Sequence, residues 1–248
     1  MNGMIFAAGL GSRLSPLTDT MPKALVAVDG KPLLWHAINH LYSYGVRHLV
    51  VNVHHFAAQV INFLNTQQWP NLNILISDES DLLLDTGGGL LKAFPLFKSN
   101  EPILVANADV FSNAPLDLMI DQHQKNQPAV TLMTMVRPST RQLQFNSHGL
   151  LSGWVNHETS EVKIARRGQV THEAAFCGFH IIELSFLEML TAQGKFPIMD
   201  AYLQQATTVD IQEFLLPSGY FWFDVGTSKK LDAVNDFVAN KNCKNDNR

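Results

Sequence analysis

Met4-Ile5-Phe6-Ala7-Ala8-Gly9-Leu10-Gly11-Ser12-Arg13-Leu14-Ser15-Pro16-Leu17-Thr18 passes from a continuous apolar segment into a glycine-rich one. A short apolar run stopped by glycine reads as a strand buried on both faces. A glycine-rich turn directly after such a strand stands at the carboxyl edge of a parallel sheet, where open α/β folds place their ligands. Glycines there let backbone N–H groups approach an anion. Arg13, with Lys23 of the following Pro22-Lys23-Ala24-Leu25, adds fixed positive charge. Taken alone, the loop also reads, as the lesser alternative, as a glycine-rich connector carrying two solvated cations.

Working outward, strand and helix signals alternate. Lys31–Tyr44 carries Leu34, Ile38 and Leu41 on one helical face and ends at Gly45, the position of a left-handed cap. His48–Val53 predicts a strand, Ala57–Leu64 a helix and Leu72–Ile76 a third strand. Leu90–Phe97 starts as a helix, Pro102–Ala106 is a fourth strand, Pro115–Lys125 a helix and Ala129–Val136 a fifth strand. Short strands spaced by helices predict βαβ units and a parallel sheet covered on both faces.

The second half is less regular. Gln142–Ile164 reads as short strands and turns, Phe176–Ile182 as a strand, and Ser185–Thr191 and Asp200–Thr207 as helices. Val209–Leu215 and Tyr220–Asp224 read as strands, and Thr227–Ala239 as a closing helix. The expected fold is α/β: a doubly wound, mostly parallel, Rossmann-like sheet with helices on both faces and a small β-rich insertion. One domain is expected over 1–239, in two halves at 1–136 and 137–239, with a frayed tail at 240–248.

Composition narrows the class. Of 248 residues, 46% are hydrophobic and 16% charged, a balance that excludes a disordered chain. A net charge of -4 supplies no bulk attraction for nucleic acid or anionic membranes. No apolar run approaches the roughly 18 residues of a membrane span. Met1-Asn2-Gly3 lacks the basic start of a secretory leader, and the two cysteines, Cys177 and Cys243, form no CxxC pair. The expectation is a cytoplasmic enzyme with neither a disulfide framework nor a cysteine zinc site. No oligomeric state is read from the chain.

Two familiar phosphate loops fail against it. A dinucleotide fingerprint needs a third glycine where Leu14 stands, and a Walker A loop needs Ser or Thr after Gly30-Lys31, where Pro32 stands. The whole loop, as Gly-x-Gly-x-Arg-x-x-Pro-Leu-Thr followed by Pro-Lys-x-Leu, instead resembles the signature of sugar-1-phosphate nucleotidyltransferases. The likeness continues through Val28-Asp29-Gly30-Lys31-Pro32-Leu33, Asp85-Thr86-Gly87-Gly88-Gly89, Asn107-Ala108-Asp109 and Phe223-Asp224-Val225-Gly226-Thr227. It is similar above all to short N-acetylmuramate-1-phosphate uridylyltransferase-like members and to mannose-1-phosphate guanylyltransferase-like ones. The fold of that family is glycosyltransferase-A-like.

The resemblance implies transfer of a nucleotidyl group from a nucleoside triphosphate, UTP favoured, to a sugar 1-phosphate. The products are a nucleotide-sugar and pyrophosphate, with Mg²⁺ as cofactor. It implies catalytic roles for Arg13, Lys23 and Asp109, and a nucleotide site made by Ala7, Ala8, Gly9, Gly11, Ser12, Arg13, Gly87 and Gly88. Asp109 and Asp224 would hold the metal jointly; either aspartate alone reads as an N-cap or turn residue. Many relatives have glycine at Ala108, a small change that retains the ligand. Ala175-Phe176-Cys177-Gly178-Phe179 resembles the family's Phe-Ser-Gly-Ile segment, whose backbone near Gly178 faces the sugar. Asn156, Arg141 and Asp200 are further sugar-side candidates, each also readable as a turn or surface residue.

Cys177 itself reads as a small buried apolar residue, and His36, His40, His54 and His55 as structural or solvated side chains. Three alternatives remain: a catalytically silent nucleotide-sugar-binding regulator on the same fold, a cytidylyltransferase for a phosphocholine-like acceptor, and a nicotinamide-dependent oxidoreductase, which Leu14 disfavours.

Overall fold

The computed structural model describes residues 1–245. Strand β1 (Asn2–Phe6) leads into the glycine loop. A short hairpin of β2 (Ala27–Val28) and β3 (Lys31–Pro32) follows, then α1 (Leu33–Ser43), β4 (His48–Val53), α2 (Ala57–Thr66), β5 (Asn73–Asp78) and α3 (Asp85–Ala93). The first half closes with β6 (Ile103–Asn107), β7 (Val110–Ser112), α4 (Leu116–Asn126) and β8 (Val130–Met135). The second half runs β9 (Arg141–Phe145), β10 (Leu151–Asn156), β11 (Glu161–Ile164), β12 (His172–Ile182), α5 (Leu184–Glu188) and α6 (Ile198–Gln205). It ends with β13 (Ile211–Leu215), β14 (Trp222–Asp224) and α7 (Ser228–Asn245).

Ten of these strands make one mixed sheet. The order β5-β4-β1-β6 is parallel throughout, with Met4 in register with Val50 on one side and Val105 on the other. Alternate residues of these strands feed different cores. Ile5, Val51 and Leu104 meet Leu34, Ile38, Val60 and Met119 from α1, α2 and α4. Met4, Val50 and Val105 meet Leu90, Phe186 and Tyr202 from α3, α5 and α6. Helices therefore cover both faces, which explains the unbroken apolar runs. Each fully buried aliphatic side chain contributes about 1.5–3 kcal/mol.

β12 carries the change of direction. Its end, Phe179–Ile182, lies antiparallel to β6, while its start, His172–Ala174, lies antiparallel to β9. Its pairing with β8 slips between Phe176 and His180, where Gly178 takes φ 80°. Beyond β9 the sheet continues antiparallel through β10 to β11, the β-rich part expected from the sequence. A separate two-stranded ribbon joins β14 to β7 and pairs Asp224 with Val110.

Several boundaries differ from expectation, among them β12, which begins at His172 and not Phe176, and three helix ends. Helix α1 begins at Leu33, because Pro32 and Lys31 are extended in the β2–β3 hairpin. Helix α3 begins at Asp85 and takes in the glycine cluster that reads as a loop. Helix α7 continues past Ala239 to Asn245, with no glycine or proline in 228–245 to stop it; 246–248 of the expected frayed tail lie outside the described residues. Among the described residues, no helix is long and apolar enough to cross a membrane.

Candidate active site

A cavity of about 440 Å³ opens at the carboxyl ends of β1 and β6. Its lining includes Ala7, Ala8, Gly9, Gly11, Ser12 and Arg13, all expected at the nucleotide, together with Lys23 and Asp109. The stretch is shaped by short local bonds. Gly11 O accepts from Leu14 N–H at 2.8 Å and from the Thr18 hydroxyl at 2.9 Å. At Gly11, φ is 69° and a Cβ would lie 2.9 Å from the Cβ of Lys23. Only glycine lets the lysine stem pass so close behind the loop.

The two aspartates meet through backbone pairing. Val225 N–H donates to Asp109 O at 2.8 Å, and the β7–β14 register places Asp224 opposite Val110. Each carboxylate carries an ammonium: Lys23 Nζ on Asp109 Oδ2, and Lys230 Nζ at 2.5 and 2.6 Å from the two Asp224 oxygens. Gly226 lies between Asp224 and Arg13, since a Cβ there would be 3.2 Å from Asp224 Oδ1 and 3.5 Å from Arg13 Nη2. Arg13 makes no ion pair among the described residues, so its guanidinium is available to a phosphate.

Among the described residues no cluster of three or more His, Cys, Asp or Glu gathers. Asp109 lines the cavity, Asp224 stands beside it through the ribbon, and the two carboxylates, each paired with its own lysine, offer hard oxygen donors only. That set fits a magnesium-like ion completed by substrate phosphates and water, and does not fit zinc.

The triple glycine does not line the cavity. Gly87, Gly88 and Gly89 are buried in the first turns of α3, the first two against the segment 194–198 and the third against Glu79 and Asn52. Phe196 O accepts from Gly87 N–H at 2.9 Å and from Gly88 N–H at 3.3 Å, and the Thr86 hydroxyl accepts from Ile198 N–H at 2.9 Å. Added Cβ atoms would stand 2.3 Å from the Phe196 ring, 2.1 Å from Gly194 O and 2.6 Å from Glu79 Oε1 respectively. Their immediate neighbours Asp85 and Thr86 do line the cavity, as does Lys195 from the docked segment.

The sugar-side candidates are dispersed. Gly178 abuts the end of β6, where its Cβ would lie 2.9 Å from Asn107 Nδ2. Asn156 is buried and uses its side-chain oxygen to hold Glu158 N–H; its register partner is Arg141. Asp200 pairs with Lys163 at 3.0 Å on α6. None of these four lines the cavity.

Two polar residues beneath the site escape the sequence reading. Asn52 Oδ1 accepts from Ala7 N–H at 2.7 Å and its amide donates to Glu79 Oε1 at 2.7 Å, while Glu79 Oε2 accepts from Leu84 N–H at 3.0 Å. Glu79 is fully buried, so this chain fixes the β1 end to the start of α3 in a setting where a lost partner is costly. Asn52 is the one polar side chain in Leu49–Val53, a mark that could have been noticed; Glu79 carries none. His36 and His40 bond Val28 O and Ala114 O, and burial pushes the Cys177 thiol up to about 12, so all three are structural.

Fold and site define an α/β protein that gathers a glycine loop, two cations and two neighbouring aspartates at the carboxyl edge of its sheet. The apo UDP-glucose pyrophosphorylase structure matches with TM-score 0.79 at 17% identity, covering 98% of this chain and 99% of that one. HddC from Yersinia pseudotuberculosis, complexed with GMP-PN, matches with TM-score 0.74 at 18% identity, covering 96% and 99%. At these identities the likeness is one of fold. The nucleotidyl transferase family model matches residues 2–147, and the chain belongs to that family. Among curated relatives, an N-acetylmuramate alpha-1-phosphate uridylyltransferase of Caulobacter vibrioides is 45% identical over 108 residues, 43% of this chain and 44% of its own length. A mannose-1-phosphate guanyltransferase of Yarrowia lipolytica is 28% identical over 234 residues, 92% of this chain and 61% of its own length. The matched region is thus less than two thirds of either relative.

Proposed function

We propose that this protein joins a nucleoside triphosphate to a sugar 1-phosphate, releasing pyrophosphate, with UTP as the favoured donor. The observation that carries the reading is one cavity edge bearing the Ala7–Arg13 backbone, Lys23 and Asp109, with Asp224 fixed alongside. The uridine preference and an N-acetylmuramate acceptor draw on the name of the Caulobacter relative.

In the reaction an oxygen of the sugar phosphate attacks the α-phosphorus of the triphosphate. The bond from α-phosphorus to the bridging β-oxygen breaks, and pyrophosphate leaves with the electron pair. A phosphate monoester has its second pKa near 6, so the acceptor is largely dianionic at neutral pH and needs no general base. The chain's task is alignment and charge neutralisation. Arg13 and the loop N–H groups hold the departing pyrophosphate, and Lys23 donates to the phosphates beside Asp109. Mg²⁺ held by Asp109 and Asp224 would neutralise phosphate charge as a Lewis acid. A donor and an ion of this kind suit a cytoplasmic enzyme.

The test is Mg²⁺-dependent pyrophosphate release over four nucleoside triphosphates and the 1-phosphates of N-acetylmuramate, mannose, glucose and N-acetylglucosamine, with phosphocholine added. The expected result is one dominant combination, UTP with N-acetylmuramate 1-phosphate, abolished by EDTA. A blank matrix with nucleotide-sugar binding intact would overturn transfer in favour of a silent binding protein.

A further inference from the structure

Arg137 follows β8, beside the bulge of β12, and forms no ion pair among the described residues. Its guanidinium carbon lies 4.4 Å from the centre of the Trp222 indole. Its terminal nitrogens reach only backbone carbonyls, Phe176 O at 3.3 Å and Pro138 O at 3.4 Å, and its buried Nε–H has no partner among the described residues. Trp222 is itself fixed, its indole N–H donating to Cys177 O at 2.8 Å. A half-buried guanidinium backed by an aromatic face, with donors to spare and no counter-charge, is built to receive a planar anion.

Its position says which anion. Trp222 and Asp224 are two apart on β14, so they share a face about 7 Å apart. That ribbon face adjoins Asp109 through the Asp224–Val110 register. Gly178, next to the Cys177 carbonyl that holds Trp222, packs on the ends of β6 and β7, its Cβ position 3.0 Å from Val110 Cγ2 and 2.9 Å from Asn107 Nδ2. Trp222 therefore stands between Asp224, two residues along its own strand, and Arg137, which lies against its ring. With the phosphates held at the aspartate end, an acceptor sugar that reaches past Trp222 meets Arg137.

We propose that Arg137 binds a carboxylate carried by the acceptor sugar and selects acidic sugar 1-phosphates over neutral ones. This rests on the nucleotidyl-transfer reading above.

N-Acetylmuramate 1-phosphate and N-acetylglucosamine 1-phosphate differ by one carboxylate-bearing ether and make the comparison direct. Arg137→Met should raise KM for the muramate substrate by about ten- to a hundredfold, the worth of a charge-assisted hydrogen bond, and leave KM for the neutral one within about twofold. Arg137→Lys should recover part of the loss, and its thermal unfolding checks the fold. An equal change for both acceptors, or no change, overturns the proposal. Calorimetric titration of wild type and Arg137→Met with N-acetylmuramate 1-phosphate reads the contact without turnover. Wild-type binding lost in the variant supports the proposal; equal binding, or no binding to wild type, overturns it. Absence of pyrophosphate release with every acceptor sinks the transfer reading separately.

Discussion

Val225 donates its backbone N–H to the carbonyl of Asp109 at 2.8 Å, and this bond brings two aspartates far apart in the chain to neighbouring positions. With Asp224 paired to Val110 across the β7–β14 ribbon, backbone pairing places the two residues, and Lys23 and Lys230 hold their carboxylates.

Acting as a unit, they should fail as a unit. Asp109→Asn and Asp224→Asn are each expected to lower kcat by about 10²–10³, and the double variant by little more than either single one. Steady-state pyrophosphate release at saturating Mg²⁺ measures this. Multiplicative losses in the double variant would mean that the two residues do separate jobs.

Lys23 tests the phosphate assignment. Its ion pair with Asp109 is partly exposed, with 29% of the acid side chain accessible, and contributes about 0–1 kcal/mol to folding. Lys23→Ala should therefore retain the wild-type unfolding midpoint while losing about 10²–10³ in kcat. Near-normal turnover in the purified, folded variant would remove Lys23 from the mechanism.

The glycines of α3 offer a test of packing. A Cβ at Gly88 would stand 2.1 Å from Gly194 O, a backbone atom that cannot swing aside. Alanine normally gains about 1 kcal/mol over glycine inside a helix, yet overpacking here should cost about 1–3 kcal/mol and displace the segment that carries Lys195. Gly88→Ala is expected to lower Tm by several degrees, whereas Gly9→Ala, with nothing within 4 Å of the added carbon, should not. A rise in Tm for Gly88→Ala would show that the 194–198 segment yields freely.

These glycines also mark where the sequence stops being legible. Apolar runs such as Met4–Ala8 and Ile103–Ala106 announced buried strands because each alternate side chain has a core to enter. The Gly9–Arg13 loop marked the cavity edge because it follows a buried strand, where open α/β sheets leave room for ligands. Gly87–Gly89 carry the same residue type for a different reason, close approach of Phe196, Gly194 and the buried Glu79, and local pattern cannot separate the two. Asn52 and Glu79 were hidden likewise, since a single polar residue reveals nothing of the partner that will satisfy it across the sheet. Asp224 became legible only through its family motif; by itself it is a carboxylate before a turn.

His180 makes stability depend on pH. It is fully buried between Phe6, Phe176 and Tyr202, and bonds the Tyr202 hydroxyl through Nδ1 at 2.8 Å. Burial holds its pKa near 3, against 6.5 when exposed. As pH falls, the unfolded chain takes up this proton first, so the stability present above pH 6.5 is lost progressively between 6.5 and about 3. The slope is about 1.4 kcal/mol per pH unit, or about 2 kcal/mol between pH 6.5 and 5. Burial also lowers His40 and His123, the latter partly offset by Glu183, so both add to the loss in the same direction. Urea unfolding from pH 7 to 5 should show this decline, and His180→Gln, which keeps a hydrogen-bonding group but no titrating one, should flatten it by about one proton. An unchanged slope in that variant would place a charged, solvated imidazole at 180 and contradict its burial.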